Sequence, residues 1–108
     1  MTKAGKTILR GRPVGTKSSD PTIAKAFGQA VVSLRTSRGL SQEAVGFGAA
    51  IGRSNMSAIE NGRSVPNFVG VVKIAAALGC SVSVLAREFE RAYKQLLQGS
   101  DGEAEMQS

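Results

Sequence analysis

Residues 40–62 read LSQEAVGFGAAIGRSNMSAIENG. Ser41 is a good N-cap, and with Gln42-Glu43 behind it a helix is expected to run to about Ala50. Gly46 and Gly48 each cost that helix about 1 kcal/mol relative to alanine, so packing must hold it. A second helix is expected to start after Gly52 and to end at Asn61-Gly62. At about 100° per residue its Met56 and Ile59 share one side. Ser54, Ser57, Ala58 and Asn61 share the other, with Arg53 at the edge. The outward side is small and polar apart from one arginine. A helix of this kind can lie close against another surface, and the major groove of DNA admits one.

Helices continue on both sides of this pair. Asp20-Pro21 supplies an N-cap and a proline at the first helical position, after which Ile23, Phe27, Ala30, Val31 and Leu34 recur at helical spacing until Gly39. A fourth helix is expected from Asn67, after Pro66, to Gly79, and a fifth from near Ser81. The fold class is therefore all-α. We expect a compact five-helix domain over residues 20–87, an extension of the last helix over 88–98, and a disordered acidic tail over 99–108. A flexible basic arm over 1–19 is expected ahead of them.

Charge divides the chain. Residues 1–66 carry ten Lys or Arg against three acids, and residues 67–108 carry four against five. A basic front and a nearly neutral rear point to a polyanion met by one side of the molecule, and nucleic acid is the commonest such partner. Other classes recede. The chain has no histidine, no paired carboxylates and no Gly-rich phosphate loop, which argues against an enzyme, and no metal or cofactor is expected. Cys80 is the one cysteine and can form no intramolecular disulfide, and the first residues carry lysines without an apolar run, so the expected location is the cytoplasm. The most apolar segment, residues 69–78, is interrupted by Lys73 and is far shorter than the roughly 20 residues that span a bilayer.

Residues 34–86 resemble the helix-turn-helix domain of the phage Cro and repressor type, the XRE family. The motifs are Arg35, Leu40-Ser41-Gln42-Glu43, Ile59-Glu60-Asn61-Gly62, Pro66, and Lys73-Ile74-Ala75 leading to Ala77-Leu78-Gly79. With the first helix the resemblance spans residues 21–87. It implies a double-stranded DNA-binding regulator of transcription whose third helix lies in the major groove of a partly palindromic operator, and for so short a chain without an evident effector domain the default expectation is a repressor. It also implies roles for single residues. Arg53, Ser54, Ser57 and Ala58 would face bases, with Arg53 suited to guanine and Ala58 to a thymine methyl. Gln42, Asn61 and Arg63 would hold phosphates. Arg35 and Glu60 would form a salt bridge from helix one to helix three.

The chain departs from that family at informative places. Ala50 stands where the turn between helices two and three usually has glycine, and Gly52 where serine or threonine is usual. Phe47 replaces a polar surface residue and is either buried under helix one or the arm, or exposed for a partner. In the rear helix, Leu85, Phe89, Ala92, Tyr93 and Leu96 form a stripe that is covered by its own domain or, in the favoured reading, by a second copy in a homodimer. In the arm, Arg10-Gly11-Arg12-Pro13 matches the core of the AT-hook, an extended peptide of the A/T-rich minor groove. The plainer reading is a basic arm that binds by charge. The competing function is an antitoxin-like module that neutralises a protein partner and regulates its own operon.

Overall fold

The structure, a computed structural model, describes residues 20–107, with side chains as far as residue 99. It consists of α1 (Pro21–Ser37), α2 (Gln42–Gly48), α3 (Arg53–Glu60), α4 (Phe68–Leu78) and α5 (Val82–Gln107). The AT-hook-like Arg10, Gly11, Arg12 and Pro13 lie outside the described residues.

Local chemistry explains the boundaries. Asp20 Oδ1 accepts from the amides of Thr22 (2.9 Å) and Ile23 (3.0 Å), and Pro21, which has no N–H to satisfy, follows it. Ser41 Oγ accepts from Ala44 N at 3.0 Å, and Asn67 Oδ1 from Gly70 N at 2.9 Å. Gly52 opens α3 without a side-chain cap, which costs only a few tenths of a kcal/mol relative to serine.

The first four helices all end in the same way. An amide beyond the helix reaches back five residues to a carbonyl: Leu40 to Arg35, Ile51 to Gly46 and Arg63 to Ala58 at 2.8 Å each, and Cys80 to Ala75 at 3.0 Å. This bond requires a left-handed residue just before the donor. Gly39, Gly62 and Gly79 fill that place with φ between 69° and 79°, and Ala50 fills it with φ 58°. The turn between α2 and α3 therefore keeps the glycine-type backbone without glycine, and α2 stops at Gly48, short of the expected Ala50.

One core joins the five helices. Phe27, Val31 and Leu34 of α1 meet Val45 of α2, Met56 and Ile59 of α3, Ile74 and Leu78 of α4, and Leu85 of α5. The end of α3 comes so close to α1 that a Cβ on Gly28 would lie 2.5 Å from the Glu60 carbonyl oxygen. Glycine is needed there for clearance.

The rear helix departs from expectation twice. Leu85 and Ala92, expected at a dimer interface, are buried within the chain, at 1% and 9% exposure. The stripe faces α1, where Ser33 Oγ donates to Glu88 Oε2 at 2.9 Å, and Phe89 packs on the core. Glu88, Phe89 and Ala92 thus pack within the chain. Phe89 stacks on Tyr93 with centroids 5.5 Å apart, and Leu96 is half-buried. Residues 99–107, expected as a disordered tail, continue α5 to Gln107. Ala, Glu, Met and Gln there are good helix formers.

Candidate nucleic-acid interface

The orientation of α3 is set first by its own apolar side. Met56 and Ile59 are 1% and 3% exposed and pin the helix to the core. Arg53, Ser54 and Asn55 consequently point outward and are exposed, with Ser57 and Ala58 half-buried beside them. Asn55 is a member of this surface that sequence periodicity left unassigned.

The C-terminal end of α3 is tied to two other helices through one carboxylate. Arg35 of α1 donates from Nε to Glu60 Oε2 at 2.7 Å and from Nη2 to Glu60 Oε1 at 3.1 Å, while its Nη1 donates to the Leu40 carbonyl at 3.1 Å. This is a bidentate, charge-assisted pair, and the Glu60 side chain is only 4% exposed. The hydrogen bond to Glu60 raises the pKa of Arg35 above its ordinary value, against an opposing effect of burial. The Arg35 guanidinium therefore keeps its charge.

Gln42, expected to face a phosphate, is drawn into the same knot, with Nε2 donating to Glu60 Oε1 at 2.9 Å. The buried carboxylate has an acceptor site left over after Arg35, and Gln42 fills it. An amide nitrogen carries two hydrogens, so this bond leaves one. Asn61 Nδ2 donates to the Ser57 carbonyl at 2.9 Å and to Ser57 Oγ at 3.3 Å, which links an expected phosphate contact to an expected base contact. Arg63 is exposed just past the turn.

The N-terminal end of α3 is held by a different pair. Arg53 Nη2 donates to Glu43 Oε2 on α2, with the two side chains 79% and 68% exposed. Between α2 and α3 runs a groove lined by Glu43, Phe47, Ile51, Arg53 and Met56. Phe47 is 90% exposed at its edge, so it is not covered by α1. Glu43 was not among the residues that the sequence singled out for the interface.

Two short helices, α2 and α3, thus meet across a tight turn, with the second braced at its far end and its small polar side turned outward. The model of the helix-turn-helix domain matches residues 26–88. The chain belongs to the helix-turn-helix domain family. Among solved structures, this helix-turn-helix protein is similar to the restriction-modification controller protein C.AhdI from Aeromonas hydrophila. Identity is 35% over 57% of this chain and 94% of that one, with a TM-score of 0.55. It also shares its fold with the clp gene regulator ClgR from Corynebacterium glutamicum. One ClgR structure gives a TM-score of 0.69 at 22% identity over 73% of this chain and 84% of that one. Another gives 0.62 at 23% identity over 68% and 95%. No curated protein matches the chain. The fold is that of DNA-binding regulators, in which the second helix of the motif enters the major groove. Among the described residues no single helix is long and apolar enough to cross a membrane, and no group of His, Cys, Asp and Glu stands together as metal ligands.

Proposed function

We propose that this helix-turn-helix protein is a sequence-specific regulator of transcription that binds a partly palindromic operator as a homodimer and represses by occupying it. The observation that carries this reading is the outward side of α3. It presents Arg53, Ser54, Ser57 and Ala58 on a helix fixed in orientation by Met56 and Ile59 below and by the Arg35–Glu60 pair at its end. A helix that reads bases must be held rigidly while its readers stay free of the core, and α3 meets both conditions. Arg53 reads guanine, Ala58 meets a thymine methyl, and Ser54 and Ser57 contact either kind of base. Asn61, Arg63 and the remaining amide hydrogen of Gln42 hold phosphates. The two similar proteins, a restriction-modification controller and a gene regulator, support a regulatory task for this one.

Dimerisation follows from symmetry, since a palindrome is read by two copies about 34 Å apart. With Leu85 and Ala92 inside the domain, the apolar surface available for a second copy is Phe68 (70% exposed), Val69 (60%) and Val72 (41%) on α4. It continues into a groove lined by Ile23, Val65, Val82 and Phe89. Tyr93 and Leu96 extend the same side of α5. The arm with Arg10, Gly11, Arg12 and Pro13 enters the adjacent minor groove.

The test is a selection from a randomised duplex library with the whole chain and with residues 18–108 in parallel. Both proteins are expected to recover the same palindrome, and only the whole chain to enrich A/T flanks. Recovery of no sequence by either would refute the regulator reading. Phe47, almost wholly exposed, favours a second reading, the protein-neutralising module. A stable heteromeric complex recovered from cells would support it, and a homodimer sufficient for tight operator binding would count against it.

A further inference from the structure

The pair between Glu43 and Arg53 is oddly placed for a DNA-binding surface. A carboxylate beside the recognition helix repels phosphates, so on electrostatic grounds alone it weakens binding to every DNA sequence. Nor does the fold need it. Both side chains are largely exposed, and α2 and α3 are already joined through Val45, Ala49 and Met56 in the core. What the pair does is hold a long side chain in one direction. An unpaired arginine samples many rotamers, whereas its guanidinium is a rigid planar fork whose selectivity for guanine depends on presenting two donors together. Glu43 engages Nη2 and leaves the rest of the fork free to meet the acceptor pair of a guanine.

We propose that Glu43 is a positioning residue for base recognition: it trades affinity for all DNA against a sharper preference for guanine at the base pair facing Arg53. The inference rests on the reading that Arg53 contacts a base. Glu43 acts through Arg53, and the base it governs is the one Arg53 reads.

The test repeats the library selection with the full chain and with Arg53→Ala, Glu43→Gln and Glu43→Asp, followed by binding titrations on the selected site and on random duplex. Wild type should enrich guanine at one position of each half-site, and Arg53→Ala should lose that enrichment. Glu43→Gln should keep the site while its guanine preference falls about twofold and its affinity for random duplex rises about two- to threefold at low salt. Glu43→Asp keeps the negative charge but shortens the arm, so it should lose guanine preference without gaining affinity for random duplex. An unchanged guanine preference in Glu43→Gln and Glu43→Asp overturns the proposal while leaving Arg53 as a reader. A preference lost at a cytosine, with the guanine retained, overturns it by making Glu43 a direct reader. If Arg53→Ala alters no position, the underlying reading of Arg53 fails as well.

Discussion

Two arginine–glutamate pairs bracket α3, and they differ in nearly everything except chemistry. At the C-terminal end, Arg35 and Glu60 meet through two hydrogen bonds with the carboxylate almost fully buried. At the N-terminal end, Glu43 and Arg53 meet through one contact in open solvent. Depth decides what each pair is for. A buried pair, once made, cannot lose one partner without leaving a charge in a medium that cannot solvate it. An exposed pair leaves the arginine's other donors in solvent, so the arginine can meet a ligand while its carboxylate steers it. One end of the helix is fixed and the other is poised.

The largest effect should come from the buried end. Arg35→Ala leaves the Glu60 carboxylate with the Gln42 amide alone, and loss of one partner of such a pair costs about 3 kcal/mol. In a domain of this size that lowers Tm by roughly 12 to 24 °C, measurable by thermal unfolding followed by circular dichroism. Arg35→Lys keeps a charge but not the fork, and an intermediate loss is expected. A change below about 1 kcal/mol for Arg35→Ala would erase the contrast between the two pairs.

That brace was legible before any coordinates, because Arg35 and Glu60 stand at places that the resemblance itself marks. The five helices were legible too, through Asp20-Pro21, Ser41, Asn67 and the glycines at 39, 62 and 79. What escaped depended on distances along no single helix. Gln42 was expected at a phosphate, and its bond to Glu60 escaped because that acceptor comes within its reach only once three helices have met. Leu85 and Ala92 form a stripe that fits a partner helix as well as it fits α1, and periodicity cannot choose between the two covers. The Glu43–Arg53 pair spans a turn whose shape the sequence left open, because Ala50 occupies the place that glycine usually takes.

At the exposed end the expected effect falls on recognition and spares folding. Arg53→Ala should reduce discrimination for guanine at one position per half-site by about 1 to 3 kcal/mol, read from competition binding between matched and substituted duplexes. Its Tm should stay within about 4 °C of wild type, as for most surface substitutions. Loss of stability in this variant on the scale of Arg35→Ala would assign both pairs to the fold.

The turn between α2 and α3 gives a smaller effect of opposite sign. Ala50 holds a left-handed backbone that costs an L-residue about 1 to 2 kcal/mol. Glycine relieves that strain but adds entropy to the unfolded chain, so Ala50→Gly should stabilise by a net of about 0.5 to 1 kcal/mol. The check is a chemical denaturation midpoint that moves upward with an unchanged slope. The exposed side of α3 keeps its direction in this variant, and the selected DNA sequence should stay the same.

The smallest effect sharpens the comparison most. Glu43→Gln removes the exposed pair's only anion, and a pair in such high dielectric contributes at most about 0.5 kcal/mol to stability. Denaturation should therefore scarcely distinguish this variant from wild type, and the residual difference should disappear at about 0.5 M salt, where screening acts over a few ångströms. The Arg35–Glu60 pair, shielded from solvent, should keep most of its contribution at the same ionic strength. A Glu43→Gln loss above about 1 kcal/mol that persists in salt would mean that the exposed pair also fastens α2 to α3. The exposed pair would then serve the fold as the Arg35–Glu60 pair does, and the division between a fixed end and a poised end would not hold.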